Sequence, residues 1–205
     1  MSKHSIIRSE LEGMQVRTQQ SQTKSLFSTI FSSTTKKNPY IPVNIKIPEY
    51  DLLRAEVFLE DVMESIDREY EVSMIELTAL LVKDFLRVTS TNTKLEELKN
   101  NLMSRRAEYL STKEKVKEWV EVAPGHNALK ERERVRRRRY FELQLEIPRK
   151  VALRAEIILY DLEQMYAPFQ MTLEDLITIL ILDFVHQLQT GKQKEIVKKF
   201  VSSFC

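Results

Sequence analysis

The chain has 205 residues, with 32 Lys and Arg against 30 Asp and Glu, one cysteine and only three glycines. So few glycines exclude a Gly-rich phosphate loop, a Rossmann turn or a many-hairpin β-sandwich, all of which need residues at positive φ. An apolar content of 42% beside 30% charged residues fits one or two folded domains with long helices better than a disordered chain.

The single cysteine, Cys205, can form no internal disulfide, which points to a reducing compartment. No stretch reads as a signal-peptide core. The longest apolar run, residues 176–185, is interrupted by Asp183 and falls well short of the ~18 residues that would span a bilayer. A cytoplasmic protein without membrane contact is expected.

Residues 1–40 are rich in Ser, Thr and Gln and carry six bases against two acids. A short helix over Ser5–Val16 fits the pattern, but the composition reads as a basic, flexible N-terminal arm. In residues 41–90, Val43, Ile45 and Ile47 alternate with Asn44 and Lys46, the pattern of a half-buried strand. Pro48 closes that strand and suits a helix start. Leu52, Ala55, Leu59 and Val62 then follow at helical spacing. Ser73 with Glu76 makes a capping box for a second helix.

Residues 91–139 read as a charged helical connector. "APGH" at 123–126 stops the helix, and a basic run, Arg136, Arg137, Arg138 and Arg139, follows. Residues 140–190 then repeat the first unit. Phe141, Leu143, Leu145 and Ile147 alternate with Glu142, Gln144 and Glu146. Pro148 starts a helix, and Thr172 with Asp175 caps another. Ile-Pro, Leu-Arg-Ala-Glu and Leu-x-Asp recur 100 residues apart, and the offset becomes 99 at the second cap, as a duplication with one deletion would leave it. A basic tail, residues 191–205, ends the chain. The net charge of +2 hides a segregation in which both repeats are acidic and every flanking segment is basic.

A short strand, a proline-started helix and a second capped helix, twice over, resemble the ribbon-helix-helix family of DNA-binding proteins (Arc/MetJ type). The likeness covers about residues 42–90 and 140–190. It implies a mainly α fold with a short two-stranded antiparallel ribbon, forming a tandem pseudo-two-fold core with a helical connector. It also implies a sequence-specific regulator of transcription whose ribbon enters the major groove of double-stranded DNA.

On that reading Asn44, Lys46, Glu142 and Gln144 face base edges, with Glu146 beside them. Asn and Gln pair bidentately with adenine, Lys bonds guanine, and Glu accepts from cytosine. Two glutamates depart from the family's more basic ribbons. Lys36, Lys37, Arg136, Arg137, Arg138 and Arg139 would grip phosphates, and Ser73 and Thr172 would offer them helix N-termini. The bland alternatives are a solvated linker for the arginine run and plain capping for the two hydroxyls. Arg54 with Asp161, and Arg154 with Asp61, are expected to pair reciprocally between the repeats, against the alternative of solvated surface charge.

Nothing points to catalysis. His4, His126 and His186 are scattered, and no metal-ligand spacing or nucleophile–base arrangement occurs. No enzyme activity, cofactor or metal is expected. The competing function is a protein-interaction or scaffold module that keeps the duplicated fold without binding DNA, and its partner would be another copy of itself or a regulatory protein. The competing fold is an all-helical bundle in which residues 43–47 and 143–147 are not strands.

Overall fold

A computed structural model describes residues 5–22, 38–66, 72–92, 94–123 and 125–190. In chain order the elements are α1 (Ser5–Gln22), β1 (Tyr40–Pro48), α2 (Glu49–Ile66), α3 (Met74–Asn92), α4 (Leu95–Tyr109), β2 (Lys113–Ala123), β3 (His126–Val135), β4 (Tyr140–Pro148), α5 (Arg149–Met165) and α6 (Leu173–Gln189). The fold is mixed, with six helices and two antiparallel two-stranded sheets among the described residues.

β1 and β4 pair antiparallel along their whole length, from Tyr40 opposite Pro148 to Pro48 opposite Tyr140. The ladder runs one step further at each end. Glu49 N–H donates to the Arg139 carbonyl at 3.1 Å, and Arg149 N–H donates to the Pro39 carbonyl at 2.7 Å. Alternation decides the faces: Ile41, Val43, Ile45 and Ile47 are buried, as are Leu145 and Ile147. Each such side chain contributes roughly 1.5–3 kcal/mol of apolar burial. Phe141, expected inward, is exposed at the ribbon's end.

The helices interleave. α2, which follows β1, packs on α6, and α3 packs on α5 and α6. α6 is apolar on nearly every side, which suits the centre of a core. Phe184 on α6 meets Phe58 on α2 edge-to-face, with ring centroids 5.0 Å apart.

Two expectations are corrected. The connector is helical only to Tyr109; Lys113–Ala123 and His126–Val135 form a β-hairpin. The Val-rich alternation of β2 and the turn at Gly125, whose φ is 77°, outweigh the helix propensity of its Lys and Glu residues. The N-terminal arm is ordered over α1. Ile6 is buried, and the backbone N–H groups of Ile6 and Ile7 donate to the Glu156 carboxylate on α5, at 3.4 and 2.7 Å. A carboxylate at a helix N-terminus answers both the unpaired amides and the helix dipole. Arg149 adds an ion pair to Glu10 at 3.0 Å. Lys36, Lys37 and the tail 191–205 lie outside the described residues.

Candidate nucleic-acid interface

Inward alternation of the isoleucines leaves Pro42, Asn44 and Lys46 of β1 and Glu142, Gln144 and Glu146 of β4 on the outward face, all exposed. The register sets Asn44 opposite Gln144 at the centre, Lys46 opposite Glu142, and Pro42 opposite Glu146. The Glu49–Arg139 hydrogen bond makes the odd-numbered β1 rungs the hydrogen-bonded ones. The outward pairs are therefore the closer, non-hydrogen-bonded kind. Lys46 accordingly reaches Glu142, Nζ to Oε1 at 2.8 Å. That hydrogen bond first, and the opposite charge second, hold the Glu142 carboxyl below its ordinary range and push the Lys46 ammonium up. The face carries one lysine against two glutamates, so its electrostatics favour cations.

The arginine run leads straight into β4. Arg137, Arg138 and Arg139 are exposed, whereas Arg136 is half-buried and its Nη1 donates to the Glu108 carbonyl at 2.6 Å. All four line a cleft with Glu49, Asp51 and other residues of both signs.

The two helix starts are capped within the chain. Ser73 N–H donates to Glu76 at 2.9 Å, and Glu76 N–H donates to the Ser73 hydroxyl at 3.4 Å. Thr172 and Asp175 exchange the same bonds at 3.3 and 3.1 Å. Both starts thus present carboxylates, and Asp175 lies 3.6 Å from Arg106.

Arg54, expected to pair with Asp161 of the second unit, has a partner on its own helix. Arg54 bonds Asp51, three residues back on its own helix, at 3.2 Å. A partner one turn away on the same helix is within reach without crossing the fold.

No family model, curated protein or solved structure matches this chain. The site must be read from its own chemistry. Among the described residues no group of three or more His, Cys, Asp or Glu could hold a metal, and no helix is long and apolar enough to cross a membrane. A groove of about 640 Å³ runs between α3, α4 and α6, floored by Leu81, Phe85, Leu98, Leu102 and Leu180. Sequence periodicity misses it, because periodicity within one helix does not show that three helices leave a channel between them.

Proposed function

We propose that the chain is a DNA-binding regulator, resembling a ribbon-helix-helix protein built from two strand–helix–helix units, that sets the β1–β4 ribbon into the major groove of double-stranded DNA. The observation that carries this reading is the outward pairing of Asn44 with Gln144 at the ribbon's centre, with exposed Arg137, Arg138 and Arg139 directly before β4. Two amides side by side suit adenine edges, and guanidinium groups at the strand's entrance suit phosphates.

The test is fluorescence anisotropy with labelled duplex DNA at two salt concentrations, comparing wild type with Arg137, Arg138 and Arg139 all changed to Ala. Binding is expected to weaken with salt. The log–log salt slope should become shallower by roughly 0.9 for each phosphate contact removed. A wild type that binds no duplex at low salt removes the reading.

A second reading has its own observation. Glu142 already neutralises Lys46, and Glu146 leaves the outward face with one more carboxylate than cation. A protein-interaction module would offer that face to a basic segment of a partner. Retention of basic peptides without DNA retention selects it.

A further inference from the structure

The β2–β3 hairpin stands apart from the core. Its strands pair with each other, while contact with the remaining elements is at most marginal. Trp119 is 72% exposed, and Leu129, directly opposite it, is 49% exposed. A two-stranded ribbon is marginal by itself in water, and an open edge is a template for another strand.

One hydrogen bond shows what each edge offers. Arg136 N–H donates to the Thr112 carbonyl at 2.9 Å, one rung below the Lys113–Val135 pair and in the same register. Antiparallel ladders alternate, so even-numbered residues of β2 bond toward β3. The N–H and C=O groups of Lys113, Lys115, Lys117, Trp119 and Glu121 therefore point outward.

The two edges differ in how they would meet their own copies. A two-fold axis normal to the sheet matches residues of the same parity. On β3 the run Lys130, Glu131, Arg132, Glu133, Arg134 alternates in sign, so such pairing sets like against like throughout. On β2, an axis at Trp119 sets each Lys117 against the second copy's Glu121 and brings the two tryptophans together.

We propose that two copies of the chain associate along their β2 edges, antiparallel about Trp119, into a four-stranded sheet ordered β3–β2–β2–β3. Leu129, Trp119 and their counterparts then form one apolar row across the sheet. The adjacent row alternates in charge: Glu131, which already lies 4.0 Å from Lys117, then Lys117, then the second copy's Glu121. The sheet sets each Trp119 between Leu129 and the second copy's Trp119, so its flanks are shielded from water. The interface is small, so association is concentration-dependent. It is independent of DNA binding.

Trp119 is the chain's only tryptophan, so intrinsic fluorescence reports the axis directly. The experiment is sedimentation equilibrium and fluorescence on full-length wild type, on Lys117→Glu, on Glu121→Lys, and on the two variants mixed. Wild type should dimerise with a blue shift in emission as concentration rises. Each variant alone sets like charges opposite at two places and should associate about tenfold more weakly or worse. In the equimolar mixture, a chain of one variant can face a chain of the other. Both contacts between positions 117 and 121 then join a carboxylate to an ammonium again, and the mixture should dimerise like wild type.

A wild type that stays monomeric overturns the proposal, as does a mixture no stronger than its components. Cysteine at the axis gives a second readout, in a Cys205→Ser background. Trp119→Cys should cross-link on oxidation, since hydrogen-bonded antiparallel partners lie about 5.5 Å apart. Leu129→Cys, a strand away, should not. Preferential cross-linking at position 129 would place the contact on another edge and overturn the register.

Discussion

Ile7 donates its backbone N–H to Glu156 at 2.7 Å, and that carboxylate, only 5% exposed, holds the start of α1 against α5. The bond crosses 149 positions of sequence, and with the buried Ile6 beside it and the Arg149–Glu10 ion pair it ties α1 to the fold. Glu156→Ala should remove the cap and cost about 1–2 kcal/mol, the upper part of the range for lost caps. Amide exchange at Ile6 and Ile7 should rise by more than the global loss of stability accounts for. Glu56→Ala, at the matching place in the first unit, should stay within about 0.5 kcal/mol of wild type, because Glu56 is exposed. Equal effects at both positions would mean that α1 is not held in this way.

The comparison of Glu56 with Glu156 shows where the sequence stops being informative. Both follow Leu-Arg-Ala, and nothing local marks one as solvated and the other as buried. Only the placement of α1 does, and that is tertiary. The ribbon was legible because period-2 alternation is local and strong over both Val43–Ile47 and Leu143–Ile147, and those segments do pair. The hairpin was missed although its signals were present. Val116, Val120 and Val122 sit at even positions, and Pro124-Gly125 is a turn dipeptide. The Lys and Glu residues between them, good helix formers, masked the alternation. Site chemistry was half legible: alternation placed Asn44 and Gln144 outward, but the Lys46–Glu142 bond depended on a register that sequence alone does not give.

Glu142 holds Lys46 across the ribbon, so on the DNA-binding reading proposed above Glu142→Gln should release the ammonium for DNA. Duplex affinity is expected to rise, and its salt dependence to steepen, as one more cation becomes available. A fall in affinity would show that the glutamate itself makes a DNA contact. The sign of the pH effect follows from the lowered Glu142 pKa. The pair is intact above the ordinary carboxylate range and is lost only as pH falls through the depressed value, so acid mimics the variant only below that range.

Tyr109 on α4 gives the opposite end of the pH scale. Its hydroxyl donates to Asp183 at 3.3 Å. Burial first, then the negative charges of Asp183 and Glu108, push the phenol up to about 12 from its ordinary 10.0. The unfolded chain therefore releases this proton at a lower pH than the folded one. The stability tied to Tyr109 is whole below pH 10 and is lost as pH rises from there toward about 12. Thermal melts of Tyr109→Phe should show a shallower alkaline decline than wild type, with less stability at neutral pH from the missing hydrogen bond. Parallel alkaline curves would assign the decline to other groups.

The two capping boxes should differ in strength for a reason visible around them. Ser73 and Glu76 are exposed, and one of their bonds is long at 3.4 Å. Thr172 and Asp175 are half-buried, and Asp175 is also faced by Arg106, whose Nη1 donates to the Gln170 carbonyl at 2.5 Å. Water competes less for the second box, and its loss would loosen the start of α6, the helix at the centre of the core. Thr172→Ala should therefore cost about 1–2 kcal/mol and Ser73→Ala about 0.5–1 kcal/mol. In a chain of this size that separates the melting temperatures by a few degrees, since each kcal/mol moves Tm by about 2–4 °C. If Ser73→Ala proved the more damaging, the exposed box would be the stronger, and solvent screening would not be what ranks them.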